Sequence, residues 1–201
     1  MSRIAASREG LLSVNQGEIT LNRVLVSLLC HPEREPKISL PENPAYVVEI
    51  NRTSGYADAV RAGIRRAIEL DSDLVIADTD GYHPAREIER LATLSTGADL
   101  VKPYRNNIGF QSNVFTYLWS GTHMKSVKDV TGGMYRMSNK FLRSLPPLKS
   151  DDMTIHVEIL NIAARRGATI QQYPYESAMN DRENSKRTRN YQLKLLSALR
   201  R

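Results

Sequence analysis

Several specialised architectures are excluded by what this 201-residue chain lacks. It has a single cysteine, Cys30. Neither an intrachain disulfide nor a multi-cysteine metal site can form. No apolar run approaches the 18 or more residues of a membrane span; RVLVSLLC, the longest, is interrupted by Ser27. There are no internal repeats and no low-complexity tracts. The opening MSRIAASREG puts charges where a signal peptide needs an apolar core. The expectation is a cytoplasmic protein. Hydrophobic residues make up 41% and charged residues 25%, which excludes a disordered chain, a coiled coil and a collagen-like fibre.

What is present is an uneven charge. The formal net charge is +6. Residues 51–100 hold six basic and nine acidic side chains, residues 101–149 eight basic and one acidic, and residues 181–201 seven basic and two acidic. An acidic segment followed by basic ones suggests a metal site beside a surface for anions. The plain alternative is a solvated basic surface.

The pattern of elements is clearest after residue 44. RVLVSLLC reads as a strand or part of a helix, and residues 31–44, with four prolines, as a loop. Residues 45–50 (AYVVEI) read as a buried strand. Residues 56–70 carry Val60, Ile64 and Ile68 on one helical face. Residues 74–77 form a second apolar strand, followed by a helix starting at Pro84. Residues 99–102 read as a third strand and 134–137 as a short one. Residues 153–166 read as a helix stopped by Gly167, and 168–173 as a strand. Residues 191–199 form a basic amphipathic helix. Strand–helix alternation predicts an α/β fold, a mainly parallel central sheet flanked by helices.

The strongest chemical signal is Asp78-x-Asp80, directly after LVIA. Ligands gather at the carboxyl ends of strands in open α/β sheets. Two carboxylates so close repel unless a cation lies between them or one turns away. Hard Mg²⁺ or Mn²⁺ suits them and leaves room for phosphate oxygens. Asp80-Gly81 alone reads as an ordinary turn. Phosphatases of the haloacid dehalogenase type also use Asp-x-Asp after a strand, but have Thr or Val where this chain has Tyr82.

Residues 51–186 resemble a family 2 glycosyltransferase of the GT-A (Rossmann-like) fold, most closely the dolichyl- or polyprenyl-phosphate sugar transferases. Seven pieces occur in the family's order. Residues 54–63 (SGYADAVRAG) resemble its glycine-containing turn and helix. Residues 78–84 (DTDGYHP) resemble D-A-D-x-x-H-x-P. Arg105 stands where the family has a basic residue after its next strand. Residues 129–136 (DVTGGMYR) resemble D-x-T-S-G-F-R, with the arginine one place later. Glu158 falls on a glutamate of the later helix, and residues 170–175 resemble I-x-E-V-P-I. Arg182 with Ser185 and Lys186 resembles the closing R-x-x-G-x-S-K. The family's early P-x-x-N-E and D-D-x-S loops, which hold base and ribose, have no clear counterpart. The N-terminal donor region therefore reads as degenerate.

The resemblance implies an inverting transfer of a sugar from a nucleoside diphosphate. Asp78 and Asp80 would hold Mg²⁺ or Mn²⁺. Asn51, Gly55, Asp78, Arg105, Arg182 and Lys186 would face the donor, and Thr131, Gly132, Arg136 and Glu158 the acceptor. Asp129, the lone acid of its basic segment, is the candidate catalytic residue. The implied acceptor is a polyprenyl phosphate, reached by peripheral membrane contact through residues 187–201, an appendage to a domain spanning 1–186. Alternatives are another acceptor, including a modified DNA base, and a relative that binds ligand without catalysis. A homo-oligomer is compatible with all of these readings.

Overall fold

The computed structural model describes residues 23–53, 55–177 and 194–197. Strands β1 (Val24–Cys30), β2 (Tyr46–Arg52) and β3 (Asp73–Asp78) are parallel, with β1 in the middle. The short strands β4 (Leu100–Val101), β6 (Tyr135–Met137) and β7 (Ile170–Gln171) complete a sheet of order β2-β1-β3-β6-β4-β7. Only β6 runs against its neighbours. A second small sheet pairs β5 (Tyr104–Arg105) with β8 (Pro174–Tyr175).

Helices cover both faces. Side chains alternate along a strand, so Leu25, Leu29, Leu74 and Ile76 join the core under α1 (Tyr56–Glu69) and α5 (Ile155–Arg165). Val24, Val26, Leu28, Val75 and Ala77 meet α2 (Ala85–Thr93) on the other side. Gly63 lets α1 approach β1: a Cβ there would lie 2.7 Å from Ser27 Oγ. Helices α3 (Phe110–His123) and α4 (Asn139–Ser144) complete the set. Among the described residues no helix is long and apolar enough to cross a membrane.

Two expectations change. RVLVSLLC supplies the fully buried strand β1. AYVVEI instead lies at the sheet edge, where Val47, Val48 and Ile50 are exposed; an apolar run reports strand propensity, not position within a sheet. The chain's last described turn is helical, and Leu195 is buried in the domain core.

The parallel strands bring Cys30, Arg52 and Asp78 to one edge. Because β6 is reversed, it is the loop entering it, with Gly132 and Gly133, that reaches this edge: Tyr135 pairs with Ile76 and Met137 with Leu74.

Candidate functional site

Asp78 closes β3 at this edge. Its Oδ1 accepts a hydrogen bond from Tyr56 Oη at 2.9 Å, and its backbone N–H donates to Nδ1 of buried His83 at 3.1 Å. Asp80 follows in a tight turn: its Oδ1 accepts from the Tyr82 N–H at 3.1 Å. Gly81 has φ of +93°, a conformation that suits glycine. Thr79 anchors the turn to β1 through Leu29 O. The Lys37 N–H donates to Thr79 O, so the proline-containing loop after β1 also walls this edge.

The donor set fits a hard divalent cation. Among the described residues no three His, Cys, Asp or Glu side chains form a metal cluster. Two carboxylates that leave the remaining positions to water and phosphate oxygens are the usual protein share of a Mg²⁺ site.

Beyond Asp78 lies a buried polar chain. Tyr56 Oη is 2.5 Å from His156 Nε2, and His156 Nδ1 is 2.9 Å from Tyr135 Oη. Burial, then Lys102 and His83, push the His156 pKa down to about 3. Burial, then Lys102 and Arg105, do the same to His83. Both rings are neutral at physiological pH.

A second cluster adjoins the first. Arg105 donates from Nε to Asp129 Oδ2 at 2.7 Å and from Nη2 to Asp129 Oδ1 at 3.1 Å. Nη2 also reaches Thr131 Oγ1 at 3.0 Å. Asp129 Oδ1 further accepts from the Thr131 N–H and hydroxyl and from the Gly132 N–H. Burial alone would raise the Asp129 pKa, but Arg105, Lys102 and the Thr131 hydrogen bond hold it at about 2. Lys102 is buried, and its Nζ donates to Gly132 O at 2.5 Å. Desolvation lowers its pKa to about 8, with Asp129 as the opposing influence. The glycine pair joins the clusters: a Cβ on Gly132 would be 2.9 Å from Lys102 Nζ and 3.0 Å from Asp129 Oδ2. One on Gly133 would be 2.9 Å from Asp78 Oδ2.

Asp78, Arg105, Asp129, Thr131 and Gly132 are thus brought together, and Asp80 stands in the turn directly after Asp78. Others are placed differently. Arg136 lies at the far end of β3, where Nε and Nη2 donate to Asp73 and Nη1 to the carbonyls of Leu91, Ala92 and Leu94. Glu158 accepts from the N–H groups of Lys149 and Ser150 and orders that loop. Asn51 Nδ2 donates to Ser27 Oγ at 2.5 Å, tying β2 to β1. Gly55 caps the N-terminus of α1, from which Tyr56 reaches Asp78. Arg182 and Lys186 lie outside the described residues, as do residues 187–193 and 198–201. Sequence reasoning gave no role to Tyr56, Tyr135, His156 or Lys102. Only Lys102 carried a usable signal, a cation directly after the apolar pair Leu100-Val101.

The mostly parallel sheet flanked by helices is a GT-A-like (Rossmann-like) α/β fold. No protein-family model matches the chain, and no curated protein does. Solved structures do. Glucosyl-3-phosphoglycerate synthase from Mycobacterium tuberculosis, in complex with Mn²⁺, UDP and glucosyl-3-phosphoglycerate, superposes with a TM-score of 0.57 at 14% identity, covering 93% of this chain and 85% of that one. Its complex with Mn²⁺, UDP-glucose and phosphoglyceric acid gives 0.59 at 16% identity, covering 94% and 84%. Its complex with Mg²⁺ and UDP gives 0.61 at 16%, covering 92% and 84%. At this identity the likeness is one of fold.

Proposed function

We propose that the chain is a metal-dependent glycosyltransferase that moves a sugar from a nucleoside-diphosphate donor to a phosphate-bearing acceptor. The observation that carries this reading is the joining of Asp78, at the end of β3, to the Arg105–Asp129 cluster through Gly132 and Gly133, with Asp80 two residues further along the turn that follows the strand. Carboxylates for a divalent ion thereby stand beside a guanidinium suited to phosphate. The GT-A neighbours, solved with UDP, Mn²⁺ or Mg²⁺ and small phosphate acceptors, support it.

In this reading Asp78 and Asp80 hold Mg²⁺ or Mn²⁺, which when bound neutralises charge growing on the leaving diphosphate. Arg105 binds a phosphate of donor or acceptor, and Arg182 and Lys186 are further phosphate ligands. The acceptor oxygen bonds to the anomeric carbon as the bond to the diphosphate breaks, and the nucleoside diphosphate leaves with the electron pair. Asp129 is a positioning residue for Arg105. Its oxygens are engaged and its pKa is about 2, so it is a poor proton acceptor. An acceptor attacking through an ionised phosphate oxygen needs no base. This favours a polyprenyl phosphate, while phosphoglycerate, bound by the neighbours, shares the phosphate but attacks through a hydroxyl.

The test is transfer from UDP- and GDP-sugars, with and without Mn²⁺, to polyprenyl phosphate, 3-phosphoglycerate or water. We expect Mn²⁺-dependent turnover, abolished in Asp80→Ala while the fold persists. Turnover that survives excess EDTA, or that Asp80→Ala leaves intact, refutes the metal reading.

A further inference from the structure

We infer that Tyr56, His156 and Tyr135 form a positioning relay that fixes the carboxylate of Asp78 for its metal; the inference rests on the metal reading above. Ionised Asp78 can only accept, so the Tyr56 hydroxyl donates to it at 2.9 Å. Tyr56 oxygen must then accept from His156 Nε2–H at 2.5 Å. His156 Nδ1 is left as an acceptor, and Tyr135 O–H fills it at 2.9 Å. One direction of donation satisfies all four groups, and it fixes a single tautomer of His156. The rings reinforce it: His156 stands edge-on to Tyr56 and to Tyr135, with centroids 5.1 and 5.2 Å away. His156 and Tyr135 are buried. Gly133 leaves the room, since a Cβ there would lie 3.1 Å from Tyr56 Oη and 3.4 Å from His156 Nε2. Groups that orient metal ligands typically change metal affinity 10- to 100-fold when removed.

The readout is Mn²⁺ affinity in the presence of UDP, measured by electron paramagnetic resonance on the full chain, with thermal unfolding alongside. Tyr56→Phe keeps the ring and removes the donor; we expect Mn²⁺ affinity to fall about tenfold with little change in Tm. His156→Gln, which can donate at one end and accept at the other, should retain more affinity than His156→Leu. Tyr135→Phe, three hydrogen bonds from Asp78, should show a smaller loss. Asp80→Ala separates the two readings. If it binds Mn²⁺ like wild type, the metal site itself is wrong. If it loses Mn²⁺ while Tyr56→Phe and His156→Gln bind normally, the relay is overturned and the metal site stands. Should His156→Leu fail to fold, the near-isosteric Tyr56→Phe decides alone.

A separate observation concerns α3, and it points to a second copy of this chain. The helix buries Phe115 and Trp119, yet on its opposite side Phe110 is 82%, Tyr117 79%, Val114 42% and Leu118 42% exposed. Met124, directly after it, is 92% exposed. A helix apolar on both sides is normally covered on both. From Asn106 to Met124 there is no Asp, Glu, Lys or Arg. An uncharged patch lets two copies of a chain of net charge +6 meet without opposing like charges, and interface cores are poor in charge and rich in aromatics and Met. A lipid-binding helix would carry Lys or Arg along its flanks. Gly121 has open space above it, so a partner helix can approach. Sedimentation of the full chain should show a dimer, which Tyr117→Lys or Phe110→Ser converts to a folded monomer. A wild-type monomer at 100-fold concentration steps up to the solubility limit overturns this. So does binding to anionic vesicles that the same substitutions abolish without altering the oligomeric state.

Discussion

Among the described residues, two largely buried arginine–carboxylate pairs lie at opposite ends of β3, and they differ in what fastens them. In Asp73–Arg136, at the entry end of β3, the guanidinium is saturated: two nitrogens on the carboxylate and the third on carbonyls at the end of α2. In Asp129–Arg105, at the exit end, the carboxylate is saturated, by Arg105, by Thr131 and by the Gly132 N–H. Arg136 fastens a helix end to a strand, whereas Asp129 is a mount that ties Arg105 to the loop carrying Gly132 and Gly133.

The largest effect should come from removing either mount. Asp129→Ala leaves Arg105 and buried Lys102 without their carboxylate, and Arg136→Ala leaves Asp73 and a helix end uncapped. Each should cost about 3–5 kcal/mol, measured by urea unfolding. Their functional signatures should part: the folded fraction of Arg136→Ala keeps Mn²⁺-dependent UDP binding, whereas Asp129→Ala weakens it. Loss of UDP binding in Arg136→Ala at unchanged stability would break the comparison.

Next in size is Arg105→Lys. It keeps the charge and loses the fork, so we expect transfer to drop at least roughly tenfold with a stability loss of about 1–2 kcal/mol. Steady-state rates alongside thermal melts will show whether function falls further than stability.

An acid titration sharpens the contrast. The Asp129 carboxyl lies at about 2 when folded, below its unfolded value of roughly 4. The unfolded chain therefore binds the extra proton as pH falls. Stability from this pair is complete above about pH 5 and disappears toward pH 2, an amount of roughly 2 kcal/mol. Asp129→Asn should flatten this part of the stability–pH curve. The smallest effect belongs to an exposed pair, Lys194–Asp152 at 2.7 Å: Lys194→Ala should cost less than about 1 kcal/mol, because solvent screens it.

Much of the parallel core was legible because its signals are local. LVIA with its acids gave β3 and its ligand edge, and the Val60–Ile64 spacing gave α1. Helix α3 was not legible: with apolar residues on both sides it shows no polar contrast at the helical period. The reversal of β6 was also hidden, since pairing direction is a tertiary property. At the site, the acids and Arg105 could be named from their motifs. The motifs set Asp129 as the catalytic candidate and Arg136 on the acceptor side and gave His156 no role, because a basic or acidic letter does not say which of its hydrogen bonds are already taken.

The relay also bears on how the chain assembles. Tyr56 and His156 are 100 residues apart in sequence, whereas Arg105 and Asp129 are separated by 24. Closing long loops is entropically dearer and slower. The sheet β2-β1-β3 can therefore form with α1 and bring Tyr56 to Asp78, while His156, which holds Tyr56 in place, arrives only when α5 docks. In a refolding experiment, Mn²⁺ capture should follow the slowest phase of secondary-structure recovery, making metal uptake a clock for the last long-range contact to close.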